Sequence, residues 1–261
     1  MTSFRPDAVA SARLGEASKV WTSDLSVSEF ALLEAAEFEP VEFVMGSSVF
    51  HIGWQQQNLR QSVELQVLTQ AMYTARMNAM NRMLAEAAQV DADGIVGTRL
   101  QFRQHGMSAE HIEFIAVGTA VRSRRQPGAY KRPDGMPFTS HLGVQDFYTL
   151  RQTGHVPVEF VMGVCVWHVA QQGFMQTLKQ MGQNVEMPQW TQGYYDAREM
   201  ALSRMQAEAE RVGATGITGV MWDASEWMWG VHTLEFFTSG TAIRKTAEPA
   251  PLRPTFVLPL Q

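Results

Sequence analysis

The chain has 261 residues, of which 45% are hydrophobic and 18% charged, and this composition is typical of a globular protein that buries a core. Its formal net charge of −5 disfavours a nucleic-acid partner, and its single cysteine, Cys165, excludes an intrachain disulfide. No apolar run approaches the roughly 20 residues that span a bilayer, and the amino-terminal residues lack the apolar segment of a signal peptide, so we predict a cytoplasmic protein.

One long sequence pattern occurs twice along the chain. A repeat of this length forms a domain, because the units of solenoid proteins reach only about 50 residues. The matching segments are PVEFVMGSSVFH at residues 40–51 and PVEFVMGVCVWH at 157–168, residues 69–96 and 191–218, and GTAVR at 118–122 with GTAIR at 240–244. We therefore predict an amino-terminal lead-in at residues 1–24, a first domain at 25–122, a linker at 123–140, a second domain at 141–244 and a proline-rich tail at 245–261.

Each domain is predicted to begin with a short helix. In the first copy the helix has Ser26 or Ser28 as its N-cap, carries Phe38 on its apolar stripe and ends at Pro40. In the second copy the corresponding helix covers residues 142–150. This helix lies outside the part of each repeat that is most similar.

The next predicted element is a strand at residues 41–52 that is rich in β-branched and aromatic residues. Gly46 lies inside this strand, and Gly163 lies at the same place in the second copy. A glycine within a strand indicates either a bulge or a close approach of another backbone.

A long amphipathic helix and two strands complete each copy. The predicted buried face of the helix consists of Tyr73, Met77, Met80, Met83, Ala87 and Val90 in the first copy and of Tyr195, Leu202, Met205, Ala209 and Val212 in the second. The closing strands are predicted at residues 95–102 and 112–121, and at 217–222 and 231–243. The fold class is therefore α+β, with two tandem β-α-β-β units, each a helix packed on a small antiparallel sheet with an extra N-terminal helix.

These segments resemble the YbjQ-like family, which carries a heavy-metal-binding label. The resemblance spans about residues 40–122 and 157–244. Its motifs are Met45-Gly46 and Met162-Gly163, Glu86-Ala87 and Glu208-Ala209 in the long helices, and Gly-Thr-Ala at 118–120 and 240–242. The resemblance implies a dodecin-like unit that assembles with itself, typically as a ring of five.

Two histidines and the cysteine are the candidate metal ligands. His51 and His168 occupy equivalent strand positions, and Cys165 lies three residues before His168. Imidazole and thiolate ligands suit zinc or copper, so this set is the hypothesis for a divalent or soft metal ion. The alternative is that both histidines are structural. The 16 methionines fall largely at helical spacing, which favours core packing over copper binding.

Charged side chains recur on the two long helices. Arg76 and Arg198 are equivalent, and each helix also carries an Arg and a Glu four residues apart, at residues 82 and 86 and at residues 204 and 208. Such pairs usually lie exposed and contribute about 0.2–0.5 kcal/mol each. The alternative is that these residues contact a neighbouring subunit, and Arg76 and Arg198 are therefore candidate interface residues.

A tryptophan-rich turn is present only in the second copy. Trp222, Trp227 and Trp229 lie within eight residues of one another, and aromatic residues of this density are typical of interface cores. The turn is therefore a candidate contact for another copy of the chain or for a different protein. The proline-rich tail is a second candidate for such a contact. Packing within the domain and an apolar ligand are the alternatives.

Two functions follow as hypotheses. The first is a non-enzymatic protein that assembles with itself, as a ring-forming scaffold or a partner-binding module, because no group of catalytic type is duplicated in the two copies. The second is a binding or storage protein for soft heavy metals such as zinc or copper. No catalytic residue and no firm cofactor is predicted.

Overall fold

The computed structural model of the protein describes residues 14, 20–51, 61–104, 111–170, 186–226 and 232–246. Its helices of several turns are α1 (Val27–Ala35), α2 (Gln66–Gln89), α3 (Val144–Gln152) and α4 (Pro188–Arg211). Its strands are β1 (Phe38–His51), β2 (Val63–Glu64), β3 (Gly94–Gln104), β4 (His111–Ser123), β5 (Phe138–Thr139), β6 (His155–His168), β7 (Gly216–Glu226) and β8 (Thr233–Lys245). No helix among these residues is long and apolar enough to cross a membrane.

Each repeat contains a three-stranded antiparallel sheet covered by one long helix. The strand order is β1-β4-β3 in the first repeat and β6-β8-β7 in the second. Helix α2 packs on β1 and β4, and helix α4 packs on β6 and β8. The chain order within each repeat is therefore β-α-β-β, and the predicted α+β class is confirmed.

The short helix of the first repeat ends earlier than the sequence pattern predicts. Ser26 caps α1 and forms a capping box with Glu29, as expected of an N-cap serine. Glu37 then adopts a φ of 66°, which reverses the chain, and Phe38 begins β1 as a buried residue. The prediction that Pro40 ends the helix is wrong, because Pro40 lies within β1 beside a register shift.

The glycines of the first strands allow the long helices to lie against the sheets. A Cβ atom on Gly46 would lie 2.2 Å from the carbonyl oxygen of Ala79, and one on Gly163 would lie 1.9 Å from that of Ala201. Of the two predicted explanations, the close backbone approach is therefore the one observed at these positions. The bulge in each strand lies elsewhere, beside Pro40 and Pro157.

Short strands connect the two repeats with each other. Strand β2, which precedes α2 in the first repeat, pairs with residues Trp167 and His168 of the second repeat. Strand β5, near the end of the predicted linker, pairs in parallel with the first residues of β3. Phe138, Thr139 and Ser140 are buried, so this part of the linker belongs to the packed structure.

Among the described residues, helix α2 lies between two sheets, whereas α4 packs on one sheet only. Ten residues of α2 are buried, against five of α4. The burial of the equivalent first strands differs in the same way. Strand β6 is buried on both faces from Pro157 to Val166, but β1 alternates between buried and more exposed positions. The first repeat therefore contributes the helix that covers the second repeat's sheet on its other face.

Candidate assembly interface

The contact between the repeats, which we call the internal joint, is formed by α2 with the residues just before it, and by strands β6 and β8. One apolar cluster runs through it. From the second repeat this cluster includes Phe160, Met162, Val164, Val166 and Phe237, and from the first repeat it includes Met72, Tyr73, Met80, Leu100 and Phe114. Because apolar area removed from water contributes about 25 cal/mol per Å², this cluster stabilises the tandem as one unit.

A buried ion pair crosses the internal joint. Arg76 Nη2 lies 2.5 Å from Glu235 Oε1, and the two side chains are only 7% and 4% exposed. The guanidinium group lies between two aromatic rings, 4.8 Å from the centre of Phe114 and 4.3 Å from that of Phe237. Arg76 was predicted to lie either exposed or at a contact between subunits; it instead connects the two repeats of one chain.

Further polar contacts fix the register of the joint. The Val166 N–H donates to Thr69 Oγ1 at 2.9 Å, and the Leu65 N–H donates to the Val166 carbonyl at 2.8 Å. Tyr73 donates its hydroxyl hydrogen to Glu208. Arg204 Nη1 lies 2.7 Å from Glu64 Oε1. These contacts join α2 and its preceding residues to the edge of β6 and to Arg204 and Glu208 of α4.

The Arg and Glu residues four positions apart have a role that the sequence analysis did not predict. Glu86 accepts from the Met45 N–H at 3.0 Å, and Arg82 donates to the Ser47 carbonyl. Glu208 and Arg204 do the same for Met162 and Val164, at 2.9 and 2.7 Å. These side chains bind outward-facing polar groups of the edge strands, which protects the edges from unspecific strand pairing. Burial raises the pKa of the Glu208 carboxyl group.

Both sides of the internal joint have an equivalent elsewhere on the molecule that the described residues leave uncovered. The equivalent of the β6 side is the outer face of β1, which we call the β1 face: Phe43, Met45, Ser47 and Val49. On it, Met45 is 49% and Val49 60% exposed, whereas their counterparts Met162 and Val166 are buried.

The equivalent of the α2 side is a groove on the second repeat, which we call the α4 groove. It has a volume of about 450 Å³ and is lined by Tyr194, Tyr195, Arg198, Leu202, Val220, Trp222, Phe236 and Thr238. Trp222 stacks on Phe236 with ring centres 5.9 Å apart and remains 69% exposed. The Arg198 guanidinium lies 4.5 Å from the Tyr195 ring centre and 2.7 Å from Glu199. The predicted residues Trp222 and Arg198 thus lie in one groove.

The remaining predicted interface residues lie in parts of the chain that the structure does not describe. Trp227 and Trp229 lie outside the described residues, as do residues 247–261 of the proline-rich tail. The β1 face itself was missed by the sequence analysis. A signal for it is present, because PVEFVMG carries apolar residues at consecutive positions, and a strand with one solvent face usually alternates.

The predicted metal ligands lie in different environments. Cys165 is fully buried below α4, with its sulfur 3.9 Å from that of Met200. Burial raises the pKa of the Cys165 thiol to about 12, with a contribution from the Glu64 carboxylate, so the thiol keeps its proton at neutral pH. His168 is buried and His51 is exposed. The part of the chain that the structure describes holds no group of three or more His, Cys, Asp or Glu side chains arranged for a metal, and the metal role stays a prediction.

The comparisons with known proteins agree with the tandem architecture. The chain is 60% identical over 260 residues to the encapsulin nanocompartment protein Rv1762c of Mycobacterium tuberculosis, and the match covers 100% of this chain and 99% of the relative. It is 41% identical over 61 residues to a UPF0145 protein of Archaeoglobus fulgidus, or 23% of this chain and 55% of the relative. A UPF0145 protein of Methanococcus maripaludis is 39% identical over 59 residues, or 23% of this chain and 51% of the relative.

A family model matches both repeats separately. The YbjQ family, described as "Putative heavy-metal-binding", matches residues 40–124 and 147–246, which together make up more than half of the chain. The two matched regions contain the equivalent sheets and long helices of the structure. The chain therefore belongs to the YbjQ family and contains two of its domains.

Proposed function

We propose that the protein is a non-enzymatic structural protein that assembles with itself head to tail into a closed ring. The observation that carries this proposal is that the internal joint has two unlike sides, a helix side from the first repeat and a strand side from the second. The helix side of the first repeat covers the strand side of the second, so the described part of the chain leaves one uncovered surface of each kind, the β1 face and the α4 groove. A chain with two complementary, unlike surfaces associates head to tail, and such contacts close into rings when the rotation allows.

The ring contains whole chains and therefore an even number of repeats. The family resemblance implies rings of five single units, and we propose that this two-domain chain keeps the five-fold symmetry, so that five chains give a ring of ten dodecin-like domains. This geometry needs only one type of contact between chains, since the alternate contacts are the internal joints. The alternative is that the protein is a module that binds a different protein through Trp222 of the α4 groove or through the proline-rich tail.

The relative in Mycobacterium tuberculosis supports a structural role. That protein is named an encapsulin nanocompartment protein, and its match extends over the full length of this chain. The duplicated charged residues also support it, because Arg82, Glu86, Arg204 and Glu208 bind strand backbone groups. A cytoplasmic location is part of the proposal and suits a protein whose only cysteine is a free thiol.

The molar mass in solution tests this proposal. Light scattering coupled to size-exclusion chromatography of the untagged protein is expected to give about 146 kDa, five times the chain mass of 29.2 kDa. A different closed number of chains would change the stoichiometry but keep the assembly. A mass equal to one chain at all concentrations up to about 100 μM would contradict the proposal, because a ring joint needs micromolar or tighter affinity.

A further inference from the structure

We infer that the α4 groove of one copy is filled by the β1 face of the next copy in the register of the internal joint, with Trp222 compensating for smaller residues on the β1 face and Arg198 paired with Glu113 of that next copy. The inference rests on the proposed head-to-tail assembly and names the contact residues. We call this contact the second joint. It is derived by transferring each contact of the internal joint to the equivalent residues of the other repeat.

Four polar pairs of the internal joint have chemically identical counterparts in the second joint. Residues of α2 map onto α4 with an offset of 122, and residues of β6 map onto β1 with an offset of 117. The pairs Arg76–Glu235, Tyr73–Glu208, Thr69–Val166 and Glu64–Arg204 become Arg198–Glu113, Tyr195–Glu86, Thr191–Val49 and Glu186–Arg82. Of these eight counterpart residues, none changes its residue type, although the surrounding loops of the two repeats differ.

The apolar residues change in size, and they change in opposite directions on the two sides. In the groove, Met72 and Leu100 are replaced by the larger Tyr194 and Trp222. On the strand side, Val164 and Phe237 are replaced by the smaller Ser47 and Ile115. Since interfaces pack as densely as protein interiors, a larger groove residue needs a smaller partner. The α4 groove therefore fits the β1 face better than it fits the strand side of the second repeat.

The charges in the groove need only a local rearrangement. Arg198 contacts Tyr195 and Glu199 at present, and its side chain is 43% exposed. In the second joint it would turn to lie over Phe236, the counterpart of Phe114, and reach Glu113 of the next copy. Glu113 lies opposite Val49 in the sheet, as Glu235 lies opposite Val166. The carboxylate is thus at the same register position in both joints.

The second joint contains fewer apolar helix residues than the internal joint does. Met77 and Leu84 of α2 belong to the apolar cluster of the internal joint, but their counterparts in α4 are Glu199 and Gln206. Charged and amide side chains at these two positions favour contact with water. The second joint is therefore smaller and more polar than the internal joint, as expected of a contact between chains that fold separately.

Two compensating pairs of substitutions test the register. Arg198→Glu and Glu113→Arg are each expected to weaken association at least about 100-fold, because each places two like charges together, and the double variant in one chain is expected to recover most of it. Trp222→Leu leaves a void against Ile115, and Trp222→Leu/Ile115→Phe recreates the side chains of the internal joint and restores assembly. Arg125→Glu, with the same charge change at a side chain that is 75% exposed, is the control.

Analytical ultracentrifugation measures the molar mass of each variant as a function of protein concentration. The far-UV circular dichroism spectrum shows whether each variant is folded. Loss of assembly in the single variants and its recovery in the double variants support the inference. Single variants that assemble like the wild type overturn it and leave the proposed ring standing. Natively folded double variants that do not recover also overturn it. A wild-type protein that is monomeric overturns both proposals.

Discussion

Arg76 and its counterpart Arg198 have the same position on equivalent helices but different surroundings. The sequence marks Arg76 as a duplicated arginine on a helix, and its twin Arg198 is indeed half-exposed. Only the tertiary structure shows that Arg76 is buried between two aromatic rings and paired with a residue 159 positions away. Arginine suits this position because its planar group stacks on rings while it donates to a carboxylate.

Removing one partner of this pair is expected to be costly for folding. Arg76→Met leaves the Glu235 carboxylate buried without its cation, which costs about 3–5 kcal/mol of unfolding free energy. Arg76→Met/Glu235→Leu is expected to recover most of that loss, because it leaves no buried charge. Urea denaturation of both variants measures the difference. Equal losses in the single and double variants would show that packing rather than charge dominates.

His141 makes stability depend on pH. Its Nδ1 lies 2.7 Å from Thr241 Oγ1, and burial lowers its pKa below the usual 6.5. The unfolded imidazole therefore takes up a proton more readily than the folded one, so stability is full above about pH 6.5 and falls as the pH drops below that value. His141→Asn is expected to flatten the dependence of the urea midpoint on pH below about pH 6.5. An unchanged slope in the variant would assign the dependence to other groups.

At the scale of the elements, close helix–sheet packing depends on single glycines. Gly163→Ala would place a methyl group 1.9 Å from the Ala201 carbonyl oxygen, which belongs to rigid helix backbone. The helix must move away, and overpacking of this kind costs about 1–3 kcal/mol or more. Gly216→Ala is the matched control, since its nearest neighbour lies at 4.0 Å. Thermal unfolding is expected to separate the two variants clearly, and similar midpoints would contradict the close approach.

On the edge strands, helix side chains bind backbone groups of the strand, and sequence periodicity alone does not predict this contact. The spacing of Arg204 and Glu208 by one helical turn is visible in the sequence and suggests an ion pair on the helix. The helix, however, lies so close to β6 that the two side chains reach the Val164 carbonyl and the Met162 N–H. The short distance between helix and strand therefore determines that these side chains bind backbone groups. Gly163 permits this short distance, because its missing side chain leaves room for the helix.

At the scale of the whole molecule, equivalent residues of the two repeats have different surroundings. Met162 is 1% and Met45 is 49% exposed, although both follow the same five residues, PVEFV. The difference arises because α2 covers β6, while nothing within the described part of one chain covers the same face of β1.

We therefore expect the same substitution to affect folding stability in β6 and assembly in β1. Met162→Glu buries a carboxylate without a partner and is expected to reduce the unfolding free energy by several kcal/mol. Met45→Glu is expected to change it by less than about 0.5 kcal/mol but to abolish assembly, because the charge enters only the second joint. Urea denaturation and sedimentation of each variant check the two halves of this prediction. A Met45→Glu protein that still assembles would contradict the proposed use of the β1 face.

The sequence by itself determined the duplication, the α+β class, the order of the strands and long helices in each repeat, and the buried stripe of each helix, because all of these depend on local periodicity and on residues repeated in place. It also indicated which residues are unusual, such as Gly46, Arg76 and Trp222. The tertiary structure decided which side of each repeat is covered. That outcome depends on contacts between residues of different repeats, such as Arg76 with Glu235, which are 159 positions apart, and Thr69 with Val166, which are 97 positions apart, and no local pattern specifies them.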